Sequence, residues 1–336
     1  MKKGTGMRKV ISVFLTLGVA ALLPQGLCGC FTAWAMEDAK PEYRFADAGE
    51  AAVLLLSNED YYDNLTQDDL NYRMQHKDAT LEELKEFAST QTLDFTVEEK
   101  QAIDEAMGQI WETCSGRGYH LPPEEGIVFA KTTMNEECGA GAYTHGTQIY
   151  LGSRFLEIAM EKSQKDHYLE EVVAHELFHC LTRNAPEFRS AMYKVIGFTV
   201  VDEEYQFPDE IRNVIISNPD VEHHNSCASF DINGKATDCA VVFLPGKPFE
   251  QPGDSFFDGM KTGLVPVDTL STLYTAEDAA NFWDVFGRNT EYVIDPEETM
   301  ADNFSYTIVR GTDASLYETP RIIQEIDSLL KAGAYE

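Results

Sequence analysis

Two histidines four residues apart, with a glutamate directly after the first, form the part of this chain best suited to chemistry. They lie in Val172-Val173-Ala174-His175-Glu176-Leu177-Phe178-His179-Cys180-Leu181, a stretch with helical pattern and neither Pro nor Gly. Residues four apart stack on one helical face, so His175 and His179 can aim imidazole nitrogens at a single metal ion. Glu176 then stands beside the metal without being a ligand, where a carboxylate can hold and deprotonate a water. With 8 His in 336 residues, an accidental H-E-x-x-H is expected only roughly 0.01 to 0.02 times per chain. A satisfied pair of core histidines is the competing account. Two imidazoles favour zinc, one ion per chain.

A hydrolytic zinc site needs a third protein ligand and an open fourth position. The segment Cys180 to Ala185 holds neither the Gly nor the third His of the longer H-E-x-x-H-x-x-G-x-x-H pattern. Far downstream stands Asp295-Pro296-Glu297-Glu298-Thr299-Met300-Ala301-Asp302-Asn303-Phe304. Pro296 suits a first helical turn, which places Glu298 and Asp302, four apart, on one face of a new helix. Acids in a first turn also complement the helix dipole without further purpose, and Glu297 competes with Glu298 as the ligand. A rival source is the His223-His224 pair in the loop Asn218 to Asn225, although loop histidines are commonly plain polar surface.

The H-E-x-x-H with its uncharged neighbours, paired with Glu298-x-x-x-Asp302, resembles the two motifs of the gluzincins, the thermolysin-like branch of the zincin metallopeptidases. The resemblance covers two short motifs, not the whole chain. It implies that Glu298 is the third ligand and that Asp302 accepts the non-metal nitrogen of His175, fixing its tautomer. It implies peptide-bond hydrolysis with Glu176 as general base, and an α+β, zincin-like domain with a small sheet over the metal helix. Ala142 to Leu151 resembles the strand that zincins place along the cleft, where Tyr143 and Thr144 would face an extended peptide. An ordinary solvent-facing edge fits the same alternation. Hydrolysis also needs a donor beside the developing oxyanion, for which His223, His224 and Tyr306 are candidates. The 118 residues between His179 and Glu298 leave the substrate loops unassigned.

The elements that position these groups follow from local signals. From Met36 to about Ser115 the chain reads as acidic helices, two of them opened by the capping boxes Thr80 with Glu83 and Thr96 with Glu99. Ile103, Met107, Ile110 and Trp111 recur at helical spacing as a core stripe. Gly116, Gly118, Pro122 and Pro123 suggest a boundary, after which strands are expected over Ile127 to Thr132 and Ala142 to Leu151. A helix is expected from about Arg154 to Glu161, and a last one around Pro320 to Lys331. The division is therefore an export signal over residues 1–35, a helical acidic region over 36–115 and a catalytic domain over 116–336.

Composition sets the outer limits. With 26 Lys+Arg against 57 Asp+Glu the formal charge is −31, which excludes a nucleic-acid partner, because no basic stripe is available for phosphates. Four of the bases, Lys2, Lys3, Arg8 and Lys9, precede the apolar run Val10 to Leu23, as in an export signal. Without them 22 bases face 57 acids, a formal −35. That field should favour cationic peptides in a salt-dependent way. Two exits are open. Ala33-Trp34-Ala35 reads as a cleavage site, and Leu27-Cys28-Gly29-Cys30 resembles a bacterial lipoprotein box with Cys30 as the lipidated terminus. The protein is thus expected outside the cytoplasm, released or anchored at the outer face of a membrane, as a monomer acting on a peptide or protein. Five cysteines follow residue 35. Cys227 and Cys239 flank an Asn233-Gly234 turn, so a bridge closing a hairpin is expected, with Cys114 and Cys138 as a weaker pair and Cys180 a buried thiol. The alternatives to a peptidase are an envelope lipoprotein or binding module with structural zinc, and a zinc amidase acting on a non-protein amide.

Overall fold

The computed structural model describes residues 42–123 and 126–335, so the export signal expected over residues 1–35 lies outside it. Strand β1 (Tyr43–Phe45) is followed by helices α1 (Ala48–Leu56), α2 (Glu59–Asp63), α3 (Gln67–Met74) and α4 (Leu81–Ser89), strand β2 (Thr92–Leu93) and the long helix α5 (Val97–Arg117). Then come β3 (Ile127–Thr132), β4 (Ala142–His145), β5 (Gln148–Gly152), and helices α6 (Ser153–Asp166), α7 (Tyr168–Asn184) and α8 (Pro186–Val195). Strand β6 (Thr199–Val200) and helix α9 (Asp209–Arg212) lead to β7 (Ser226–Ile232), β8 (Lys235–Leu244), β9 (Lys261–Pro266) and β10 (Tyr274–Thr275). Helices α10 (Phe282–Phe286), α11 (Pro296–Val309) and α12 (Pro320–Ala332) complete an α+β chain.

Local chemistry explains several of the helix starts. Thr80 and Thr96 each accept the N–H of a glutamate three residues on, and that glutamate accepts the threonine's own N–H, so both expected capping boxes close. Thr66 and Asp69 do the same for α3. In α5 Ile103, Met107 and Ile110 of the expected stripe are buried with Cys114, while Trp111 is only half-buried, and they meet Val173, Ala174, Leu177, Phe178 and Leu181 of α7 in one cluster with Met300 and Phe304 of α11. The metal-motif helix therefore sits at the centre of the largest core.

Two sheets flank it. The first has the order β1-β3-β5-β4 with β2 also paired to β3; β1, β3 and β5 run parallel, while β4 is an antiparallel edge. The segment expected as a single strand, Ala142 to Leu151, is two strands, because Gly146 at φ 54° turns the chain back between them. The second sheet is an antiparallel meander β10-β9-β8-β7-β6. Alternation along β8 serves two cores: Val241 joins the cluster around α7, whereas Val242 and Leu244 pack with Ile211, Ile215 and Val265.

The boundary suggested near residue 115 is not a separation in space. Asp38–Glu336 forms one compact unit, and the region before it contributes strands as well as helices, since β1 and β2 both pair with β3. A buried ion cluster ties the same region to the rest. Arg73 of α3 meets Asp69 at 2.9 Å and Glu137 at 2.7 Å, and donates to Tyr61 Oη and to the carbonyl of Ser217.

The expected Cys227–Cys239 bridge is absent, and register explains why. The two-residue turn at Asn233 (φ 55°) and Gly234 (φ 78°) pairs Cys239 with Ala228, so Cys227 is one residue out of step and points to the opposite face. Cys227 pairs instead with Thr199 of β6. Cys114 and Cys138 are likewise thiols. No helix among the described residues is long and apolar enough to cross a membrane.

Candidate metal centre

Helices α7 and α11 cross at the site. From α7 come His175, Glu176 and His179; from the first two turns of α11, whose N-cap Asp295 accepts the Glu297 N–H, come Glu297, Glu298 and Asp302. The imidazoles of His175 and His179 lie with centroids 4.9 Å apart and planes at 78°. Glu298 Oε2 is 3.0 Å from His175 Nε2 and 3.7 Å from His179 Nε2, so three ligand atoms converge on one point.

Each imidazole has a carboxylate behind it. His175 Nδ1 meets Asp302 Oδ1 at 2.9 Å, and the other Asp302 oxygen accepts from Thr290. His179 Nδ1 meets Glu297 Oε1 at 2.9 Å; Glu297 also accepts from Thr182 at 2.6 Å and from the Tyr193 hydroxyl at 2.5 Å. Both rings then carry the proton on Nδ1 and present Nε2 to the centre. Glu298 is held in the same spirit: its Oε1 accepts from Asn218 and from Tyr292, leaving Oε2 free to ligate. Glu176 is not in this trio. It is buried beside it, and its Oε2 accepts from Thr144 Oγ1 at 2.8 Å.

The electrostatics fit a cation. Glu176, Asp220, Glu297 and Glu298 are buried and Asp302 half-buried around the two imidazoles, a concentration of carboxylates that a divalent ion would compensate. His179 Nε2 is buried without a hydrogen-bond partner, which a protein normally avoids unless the atom has another role. Burial alone would raise Glu298, yet the His175 bond and the two ring charges hold it down at about 2. Burial raises Glu176 in spite of those same rings. Asp220 is raised well above the carboxylate range by burial and then by the Glu176 and Glu298 charges.

The expected donors fall elsewhere. His223 is exposed with its Nδ1 2.7 Å from Glu204, in a shallow cleft beside Asp220, Glu222 and Glu297. His224 packs edge-on against Phe207, and burial lowers its pKa. Tyr306 stands behind Asp302, its hydroxyl 3.5 Å from Oδ2 and the Arg310 guanidinium over its ring. None of the three joins the ligand trio. Of the two strand candidates, Thr144 reaches the site and Tyr143 does not: Tyr143 is buried against Tyr150 and donates to Glu136. Asn218, Asp220 and Tyr292 were invisible in sequence, because polar residues in irregular segments carry no spacing signal. Comparison with protein-family models, curated proteins and solved structures returned no match.

Proposed function

We propose that this chain is an exported, zinc-dependent metallopeptidase of the zincin type. The observation that carries the reading is the meeting of His175, His179 and Glu298 around one point, with each imidazole backed by its own carboxylate and Glu176 beside the trio. His175, His179 and Glu298 would hold the ion, and the donor set suits zinc. Zinc, when bound, supplies polarisation of the scissile carbonyl and acidification of water toward ~7.

The remaining steps belong to the chain. Glu176 takes the proton from the attacking water and returns it to the leaving amine; with Oε2 held by Thr144, Oε1 is the oxygen left for transfer. Burial favours its protonated state more than in water, which helps the second half of that cycle. Asp302 and Glu297 keep the rings in register through both steps.

A second reading, a structural zinc in a non-catalytic protein, draws support from Asp220, whose carboxylate lies 3.9 Å from His179 Nε2 and adds a fourth protein ligand atom nearby. Metal analysis of the full chain beside two variants separates them. Glu176→Gln should keep one zinc and lose peptide turnover by about 100-fold or more, whereas Glu298→Ala should lose zinc. Native turnover in the Gln variant, or no turnover of a broad peptide library by the zinc-loaded native chain, removes the peptidase reading.

A further inference from the structure

The antiparallel edge beside the site is already taken. The two-residue turn after β4 makes His145 and Gln148 a hydrogen-bonded pair, so Tyr143 bonds inward to β5 and the Thr144 N–H points off the sheet. That N–H donates to Asp220 Oδ1 at 2.6 Å. Two residues on, the Gly146 N–H donates to Glu222 Oε1 at 3.0 Å. An extended peptide added to this edge would offer carbonyl oxygens at the same alternate spacing. The Asp220 carboxylate stands where one of those carbonyls would be, and the Glu222 carboxylate, two residues on, holds the N–H of the turn that follows β4.

Both ends of this segment are pinned. Arg183, one turn past His179, pairs with Glu222 at 3.0 Å and donates to the carbonyls of Pro219 and Gly146. Ser217 donates through its N–H to Asp69 and accepts from Arg73 at its carbonyl, both within the buried ion cluster of α3. Between these anchors Asn218 holds Glu298, and Asp220 stands within 4.8 Å of the ligand atoms of Glu176 and His179.

We infer that residues 217–222 form an internal strap that imitates a bound peptide, closing the substrate edge and the open face of the metal centre until an extended substrate displaces it. The inference rests on the metallopeptidase reading. It explains why the strand expected to receive substrate is covered, and it identifies the substrate as an extended backbone that exchanges a carbonyl for the Asp220 carboxylate. It also gives Arg183 a role in holding the closed form.

The test follows metal release from the cobalt-loaded full chain to dipicolinate, with turnover of an extended fluorogenic peptide read in parallel. In Asp220→Ala/Glu222→Ala, release should be faster by about tenfold or more and KM lower, since the closed population no longer reduces access. Release and KM within about twofold of native, in a variant of native circular dichroism, overturn the strap. Should the double variant not fold, Glu222→Ala alone, at an exposed position, carries the same test with the same direction of change. Faster release with no peptide cleaved by either chain removes the peptidase reading and the strap with it, since loss of Asp220 from a structural zinc site would speed release in the same way, whereas cleavage with native release and KM overturns the strap alone.

Discussion

At the scale of single residues, the site is governed by which imidazole nitrogen each carboxylate touches. Glu297 and Glu298 are neighbours in sequence, yet one holds His179 Nδ1 and the other faces both Nε2 atoms. The division follows from the roughly 100° step between successive helical residues, which sends adjacent side chains to different faces. Glu297 is thus a positioning residue. Glu297→Ala should weaken zinc affinity by about 10- to 100-fold, measured by competition with a chromophoric chelator, while Glu297→Gln, which keeps an acceptor for the ring N–H, should recover part of the loss. Equal affinities in Ala and native chains would show that His179 needs no such partner.

At the scale of elements, what could be read in advance was whatever has a period or a cap. The H-E-x-x-H helix, the helix opened by Pro296 and both threonine-glutamate boxes were legible because their signals are local. The loop carrying Asn218 and Asp220 was not, since its role comes from contacts with Glu298 and Thr144 about 80 residues away in either direction. The disulfide expectation failed for a related reason: a hairpin turn fixes which residues oppose one another, and a single step of register sends a sulfur to the other face. That same turn offers a direct check. Asn233 and Gly234 both occupy left-handed backbone, so Gly234→Val should destabilise the chain by about 1–2 kcal/mol in urea unfolding.

At the scale of the whole molecule, the N-terminal helices are part of the structure that supports the site, not an appendage to it. Arg73 joins Asp69, Glu137, Tyr61 and the Ser217 carbonyl in a cluster from which water is excluded. Arg73→Met should therefore cost about 3–5 kcal/mol in urea unfolding, because two carboxylates stay buried without their cation. A change under about 1 kcal/mol would mean that the cluster is dispensable. The cysteines carry a different lesson. Burial pushes the Cys114, Cys138 and Cys239 thiols up to about 12, so almost none of each is the reactive thiolate at neutral pH. The described residues accordingly hold their fold with all five of their cysteines as thiols, and that fold asks for no disulfide-pairing step. A non-chelating phosphine reductant should leave the melting temperature of the zinc-loaded chain unaltered, whereas stripping the metal with a chelator should lower it, by an amount set by about 2.7 kcal/mol for each hundredfold excess of zinc over its dissociation constant.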